Sequence, residues 1–414
     1  MPEKTPRLNS VTSLRYPAAA AVVVTHVNPY YLTAHDQKIA TAYLYIGVSF
    51  FYLLSGFVLT WSCSRQRAGV FWWNRVSRIW PLQLTMMVVV YVLLWNSEPR
   101  PSSPLGWVLQ ALLLQAWDPN TNVHSGGNGV TWSLSCELFF YAMFPLLVAG
   151  IRRLRARGLA LTAVGVLATE ALVPTVVAGH VSSATYQWLF FYCPAYRIGE
   201  FILGMVLARA FARGMRFRRP SVGYLLGWAW FAGWVVVVTE YTLRHHGDTV
   251  PRPYATLLVL PAFVLLVVAG ASSDMAGRTR LMGNWLLIKL GEWSFALYLV
   301  HALLAWYTSR QDWLPRYGGV GYLLVFIALS TAVAAVPHYV LEKPADRWLR
   351  ARTPRFLRPR EARAAPAAKG ARSVPGGTDS PPPPLCQDDR RRCSVAPSAP
   401  GRRARVDRPS RWPA

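Results

Sequence analysis

The sequence predicts an all-α, polytopic membrane protein with about ten transmembrane helices and both termini in the cytoplasm. Three observations lead to this class. First, 53% of the 414 residues are hydrophobic and only 15% are charged, which is too apolar for a soluble chain of this length. Second, apolar runs of about twenty residues recur, and each is long enough to cross a bilayer as a helix. Third, arginines concentrate in alternate loops between these runs.

The apolar runs define ten predicted spans. The segment LGWVLQALLLQAW at 105–117 is apolar but short, so we predict an interfacial or re-entrant helix there rather than a span. The spans lie at about 14–31, 43–62, 79–96, 132–150, 159–179, 188–208, 222–243, 254–270, 285–307 and 319–341.

The loop charges predict the orientation of these spans. With the N-terminus inside, the predicted cytoplasmic loops contain fifteen arginines and the outer loops six basic residues. Positive charge is enriched in cytoplasmic loops, so both termini are predicted to be inside. A true span at 105–117 would place the arginine clusters at 152–157 and 209–219 outside, and we exclude it on that ground.

The remaining composition limits the partners and the domain organisation. The net charge is +25, but the basic residues lie in loops and in the C-terminal region, which favours orientation in a lipid bilayer over nucleic-acid binding. We divide the chain into a polar leader at 1–13, a transmembrane domain at 14–349 and a disordered, basic, Pro/Arg-rich cytoplasmic tail at 350–414. The five cysteines lack metal-site spacing, so no metal site is predicted.

The first span contains two ionisable residues, Arg15 and His26. They are eleven residues apart, about three helical turns, and so lie on one helix face about 16 Å apart along the axis. Ionisable groups at membrane depth are expensive to bury and are therefore functional candidates. The alternative is structural, with Arg15 reaching the headgroups and His26 paired to a neighbouring helix.

Two further groups of charged residues stand near the predicted membrane boundaries. Arg75 and Arg78, three residues apart in the first cytoplasmic loop, suit a phosphate-bearing ligand, although anchoring at the inner surface is the favoured explanation when the pair is taken alone. Glu137 lies near the outer end of its span, where an acid is unlikely to face lipid. It is a candidate to orient a histidine, bind an acceptor hydroxyl or pair with an arginine.

Later spans add four more candidates. Arg197 and Glu200 have the spacing of an ion pair within one helix. His301 lies in the ninth predicted span, and Glu342 ends the tenth. A purely structural bundle would avoid so many ionisable residues within apolar spans, so the set indicates a function inside the membrane.

Taken together and in this order, these segments resemble the acyltransferase 3 family of integral membrane acyltransferases. The resemblance covers residues 8–349, and the ordered set is highly specific, though no single motif is. This chain has Leu138 where many members have a second glutamate. The matching residues are Arg15 and His26, the segment at 50–59, Arg75, Arg78 and Pro81, Trp132 to Glu137, Arg197, Glu200, Phe201 and Gly204, Leu290 to His301, and Glu342 with Pro344.

The resemblance implies transfer of an acyl group, often acetyl, from cytoplasmic acyl-CoA to an acceptor hydroxyl. Acceptors in the family include surface polysaccharides, peptidoglycan and secondary metabolites such as macrolides. We therefore expect a multi-pass protein of the cell membrane with acyl-CoA as donor substrate and no permanently bound cofactor. The expected catalytic residues are His26, Arg15 and Glu137.

The expected binding residues fall into two groups, and one question about mechanism stays open. Arg75 and Arg78 are expected to hold the donor's phosphates. The expected substrate-binding residues are Arg197, Glu200, His301 and Glu342. His26 is either a general base or a covalent acyl carrier, and the sequence leaves both open.

Two rival function classes remain compatible with the residues alone. A membrane transporter would use the same intramembrane His, Glu and Arg side chains as a proton or substrate relay. A membrane-embedded binding or regulatory protein would need no chemistry. Consumption of acyl-CoA separates the enzyme from both.

Overall fold

A computed structural model describes residues 6–31, 41–63, 67–93, 103–245, 249–279, 282–309 and 319–357. Within these ranges the chain is helical and contains no strand, which confirms the all-α class. The α-helices are α1 Asn9–Ser13, α2 Arg15–Tyr31, α3 Gly47–Trp61, α4 Ala68–Leu93, α5 Pro104–Ala111, α6 Thr121–His124, α7 Trp132–Arg153, α8 Ala156–Val177, α9 Ser183–Gln187, α10 Pro194–Ala212, α11 Pro220–Arg244, α12 Arg252–Met275, α13 Trp285–Thr308, α14 Val320–Pro337 and α15 Lys343–Ala351.

Most of the long helices can cross a membrane. Within the described residues nine helical segments are long and apolar enough to do so, which confirms a polytopic membrane protein. These nine correspond to the second to tenth predicted spans. The first predicted span is α2, whose 17 residues are at the lower limit for crossing a bilayer.

Contacts between helices give their relative directions. Along α3 and α10, Ser49 bonds Arg197 and Trp61 packs on Phe211, so the two helices run parallel. The hydroxyl of Tyr52 donates to the Ser133 carbonyl of α7, and Ser55 donates to the hydroxyl of Tyr141 about two turns further on, so α7 runs parallel to α3 as well. Because α4 lies between α3 and α7 in the chain and crosses once, the segment containing α5 does not cross. The structure thus confirms the prediction for 105–117.

Glycines allow the closest helix crossings. A Cβ atom added at Gly204 of α10 would collide with the Leu53 carbonyl of α3, and one added at Gly56 of α3 would collide with the Phe201 carbonyl of α10. Gly291 gives α13 the same close approach to the Thr12 carbonyl of α1. These crossings fix α3 against α10 and α13 against α1, and small residues at membrane helix interfaces commonly serve this purpose.

Some boundaries differ from the predicted ones. Helix α4 begins at Ala68, eleven residues before the predicted span, because the interfacial segment with Arg75 and Arg78 continues the same helix. The last membrane helix continues through a π turn, His338–Glu342, into α15. Within the predicted leader, residues 9–13 form α1. Residues 358–414, most of the predicted tail, lie outside the described residues.

Candidate active site

Three cavities lie in a row between α2, α3, α4, α7 and α13. Their volumes are about 310, 80 and 40 Å³. Neighbouring cavities share lining residues: Leu59 and Arg75 line the first two, and Arg15 and Glu137 line the last two. The row therefore leads from the arginine-rich end of the bundle, which the positive-inside rule assigns to the cytoplasm, towards the interior.

The widest cavity is lined by arginines from three helices. They are Arg75 of α4, Arg152 of α7 and Arg350 of α15. Arg152 donates to the Cys63 carbonyl at 2.8 Å, and Arg350 pairs with Asp346 at 2.6 Å. Nε of Arg75 is buried without a hydrogen-bond partner among the described residues. This end of the row is strongly positive and retains unused donors.

The middle cavity adds Arg15, Arg78 and Glu137. Within the described part of the chain, no carboxylate forms an ion pair with Arg15, Arg75 or Arg78, and Glu137 forms none with any cation. Glu137 lies close enough to Arg15 and Arg75 for electrostatic interaction. One carboxylate thus faces three guanidinium groups, so the cavity has an excess of positive charge suited to an anion.

The innermost cavity ends in hydroxyl groups. Nε of Arg15 donates to Oγ of Ser294 at 3.2 Å, and that hydroxyl donates to the Gly291 carbonyl at 2.8 Å. The hydroxyl of Tyr298 donates to the Val130 carbonyl at 2.7 Å and lies 2.6 Å from Oγ of Ser133. These bonds fix the hydroxyls on the cavity wall.

The imidazoles of His26 and His301 touch one turn beyond Tyr298. The two ring centres are 5.1 Å apart, and Nε2 of His301 lies 3.5 Å from Nδ1 of His26. Nδ1 of each ring contacts the carbonyl four residues earlier, at 2.8 Å for His26 and 3.1 Å for His301. Because a carbonyl only accepts, both Nδ1 atoms carry a proton and both Nε2 atoms have the lone pair; that of His301 faces the Nδ1 proton of His26.

Arg15 and His26 share the face of α2 that packs on α13, as their eleven-residue spacing predicts. Arg15 contacts Ser294 and His26 contacts His301, so the two helices run parallel. His301 is fully enclosed, whereas His26 is half-buried. Nε2 of His26 therefore has the more accessible lone pair.

Arg197 and Glu200 lie apart from the row of cavities. They pair at 3.3 Å, and both side chains are buried. Arg197 also donates to Oγ of Ser49 at 2.9 Å and lies over the ring of Tyr52. Because Tyr52 lines the innermost cavity, this pair touches the site through that ring.

Glu342 pairs with a histidine that sequence reasoning did not select. Oε2 of Glu342 lies 2.7 Å from Nδ1 of His338, and both side chains are buried. Glu342 also interacts electrostatically with Arg15. The predicted residue thus faces the site as half of a pair.

Comparison with known proteins identifies the family. The sequence model described as "Acyltransferase domain" matches residues 8–339. The chain belongs to the acyltransferase 3 family. Acyltransferase MdmB of Streptomyces mycarofaciens is 33% identical over 384 residues, an alignment that covers 86% of this chain and 95% of MdmB. No solved structure matches at a significant level. The protein is therefore an enzyme, an O-acyltransferase that spans a membrane.

Several lining residues of this acyltransferase were not found from the sequence. Arg152 and Arg350 read as ordinary boundary arginines, because nothing local distinguishes a cavity-facing arginine from its neighbours. Tyr298 lies in the segment that resembles the family but was not selected as a site residue. For His338, the spacing of four residues to Glu342 was the available signal.

Proposed function

We propose that this acyltransferase moves an acyl group, in the first place acetyl, from cytoplasmic acyl-CoA to a hydroxyl of a carbohydrate, cell-envelope glycan or secondary metabolite at the cell membrane. One observation carries the proposal. Arginines, of which Arg15, Arg75 and Arg78 have no carboxylate partner among the described residues, line a row of cavities that leads inward to fixed hydroxyls and, one turn beyond, to a pair of touching imidazoles.

The arginines suit the donor because acyl-CoA has several phosphate charges and an uncharged arm. Guanidinium groups bind phosphate oxygens through paired, charge-assisted hydrogen bonds. We assign donor binding to Arg75 and Arg78, as the sequence predicts, and add Arg152 and Arg350 because they line the widest cavity. Lipid headgroups would satisfy surface arginines, but Nε of Arg75 is enclosed, which favours a ligand that enters the protein.

The inner end of the row suits the transfer step. The acceptor oxygen attacks the thioester carbonyl carbon, a C–O bond forms and the C–S bond breaks. Nε2 of His26 takes the hydroxyl proton, which finally resides on the thiol of the released coenzyme. An imidazole accepts a proton near neutral pH, and such a base contributes about 10²–10⁴ in rate. His26 as an acyl carrier remains the alternative.

The other predicted residues support this step. Arg15 places positive charge beside the innermost cavity, where negative charge develops on the thioester oxygen. Glu137 is the counter-charge of that arginine and a candidate to bind the acceptor hydroxyl. We place His301 beside His26, facing the acceptor. Arg197 and Glu200 support the wall of the innermost cavity through Tyr52. Glu342 interacts electrostatically with Arg15.

The test is transfer by the purified protein in lipid nanodiscs. Acetyl-CoA labelled in its acetyl group is incubated with a panel of polysaccharide, peptidoglycan fragments and macrolides. We expect label in one acceptor class as an alkali-labile ester, with equimolar release of free CoA. A transporter would instead move a substrate across vesicles without releasing CoA. Absence of CoA release with every acceptor would contradict the proposal.

A further inference from the structure

The last membrane helix contains a histidine–glutamate pair that the transfer step above does not use. The helix widens there into one π turn, His338–Glu342. Their side chains are only 4% and 7% exposed. Because a carboxylate only accepts, Nδ1 of His338 carries a proton, and Nε2 is the nitrogen left to exchange one. Single π turns within helices frequently occur at functional sites.

The free nitrogen of this pair is unusual for a buried group. Nε2 of His338 is enclosed and has no hydrogen-bond partner among the described residues. Buried polar atoms are nearly always paired, since an unpaired one loses its bonds to water without replacement. An imidazole with one nitrogen fixed by a carboxylate and the other nitrogen free is the arrangement of general acids and bases.

The pair faces the interior of the bundle. On the last helix, one side is exposed at Val336 and Val340, at 61% and 72%. The opposite side forms a buried stripe at Thr331, Ala334, His338 and Glu342. Thr331 shares a hydrogen bond with Tyr16 of α2 at 3.0 Å, and the π turn itself packs against α4 and α13.

The pair lies beside the inner half of the proposed transfer site. The rings of Tyr339 and Trp293 are 6.0 Å apart, which puts the π turn level with Ser294, the partner of Arg15. His301 is seven residues further along α13, about 10 Å towards the outer side. The His338 centre thus lies level with the Arg15–Ser294 contact, and the His26–His301 pair lies about two turns further out.

We propose that His338, oriented by Glu342, is the general acid that protonates the sulfur of the departing coenzyme; this inference rests on the proposed acyl transfer. As the C–S bond breaks, its electron pair goes to sulfur, and sulfur takes the proton from Nε2 of His338. Nε2 is reprotonated by the proton that His26 removed from the acceptor hydroxyl, so the cycle is balanced. The two centres then serve the two substrates, the inner one for the donor and the outer one for the acceptor.

The order of the groups agrees with this assignment. Two hydrogen bonds and two reacting bonds connect the two imidazole centres in the transition state. They run from the base nitrogen to the acceptor oxygen, the carbonyl carbon, the sulfur and the acid nitrogen. At about 3 Å for each hydrogen bond and 2–3 Å for each reacting bond, this line of atoms spans about 10 Å. This matches the axial separation of the two imidazole centres.

The test compares two donors that differ only in the leaving atom. One is acetyl-CoA, and the other is its oxygen-ester analogue, with the best acceptor of the panel above. His338→Ala should lower single-turnover transfer by about 10²-fold from the thioester and about 10⁴-fold from the ester. An alkoxide needs a proton far more than a thiolate, whose thiol has a pKa near 8.5. Glu342→Gln should show the same order with smaller losses.

Controls separate the possible failures. His180→Ala removes an exposed imidazole and should change neither rate. If wild type does not use the oxygen-ester analogue, transfer is measured in reverse, from the acetylated acceptor to free CoA. The rate loss of His338→Ala in this direction should shrink as the pH rises past 8.5, because the thiol of CoA then ionises unaided. If His338→Ala does not fold, as judged by gel filtration in detergent, Glu342→Gln carries the comparison. Equal losses with both donors, or a pH-independent deficit, would overturn the inference. Wild type that releases no CoA would refute the proposed function instead.

Discussion

Replacing Arg78 by alanine should weaken binding of acyl-CoA selectively. Arg78 lines the middle cavity and forms no ion pair within the described residues, so its guanidinium is available to a phosphate. A hydrogen bond to a charged group contributes about 1.5–3 kcal/mol, which corresponds to roughly a 10- to 150-fold rise in Kd. Arg78→Lys should recover only part of this, because the planar fork is lost.

The assay is equilibrium binding to the protein in nanodiscs, with two ligands and a matched arginine variant. Acetyl-pantetheine has the arm and thioester but lacks the phosphates, so Arg78→Ala should leave its affinity unchanged. Arg153→Ala removes the same charge from the same end of the bundle, but Arg153 is exposed and does not line the cavity. Unchanged acetyl-CoA affinity in Arg78→Ala would leave membrane anchoring as the role of this arginine. An equal loss for acetyl-pantetheine would refute the phosphate contact.

Four further predictions follow from the helices around the site. His26→Ala should reduce single-turnover transfer by about 10²–10⁴-fold while acyl-CoA binding persists. Gly204→Ala should destabilise the fold by about 1–3 kcal/mol, because the added Cβ overpacks the closest helix crossing. Burial lowers the pKa of His124 from 6.5 to about 4, so stability of the outer segment should fall as the pH drops from about 6.5 to 4. Cysteines placed at 151–158 should resist labelling from outside the cell.

Each of these has its own control and contrary outcome. Normal transfer by His26→Ala with none by His301→Ala would move the base to α13. Gly165→Ala, where an added Cβ meets nothing within 4 Å, should be tolerated, and equal thermal shifts would refute the packing argument. His124→Gln should flatten the pH dependence of hydrogen exchange in the outer segment. Labelling of cysteines at 151–158 from outside the cell would contradict the predicted cytoplasmic location of this loop.

The sequence predicts those features of this enzyme that repeat along one helix. The eleven-residue spacing of Arg15 and His26 is a property of α2 alone, and the structure places both on one face. The short apolar segment at 105–117 was likewise predicted not to cross the membrane, because its length and the arginine clusters after it exclude a span.

Features that depend on several helices were not predicted. Arg152 and Arg153 are neighbours in the same cluster, yet only Arg152 faces the cavity, and that choice is set by the packing of α7 against α4. The contact of His26 with His301 joins residues 275 positions apart. His338 is a candidate site residue because its Nε2 is enclosed without a hydrogen-bond partner among the described residues, which depends on the packing of neighbouring helices.

Positive charge and cavity volume decrease together along the row of cavities. This arrangement bears on how a membrane acyltransferase can bind a donor that contains charged phosphates. A phosphate group is too costly to bury in an apolar interior without a cation, whereas an uncharged thioester arm is not. Here the cavities narrow from about 310 to 80 to 40 Å³, and the arginines surround the two wider ones. Under the proposed function, the phosphates stay at the arginine-rich end and only the arm reaches Ser294 and Tyr298. The arginines therefore bind the donor and also set how far it enters the membrane.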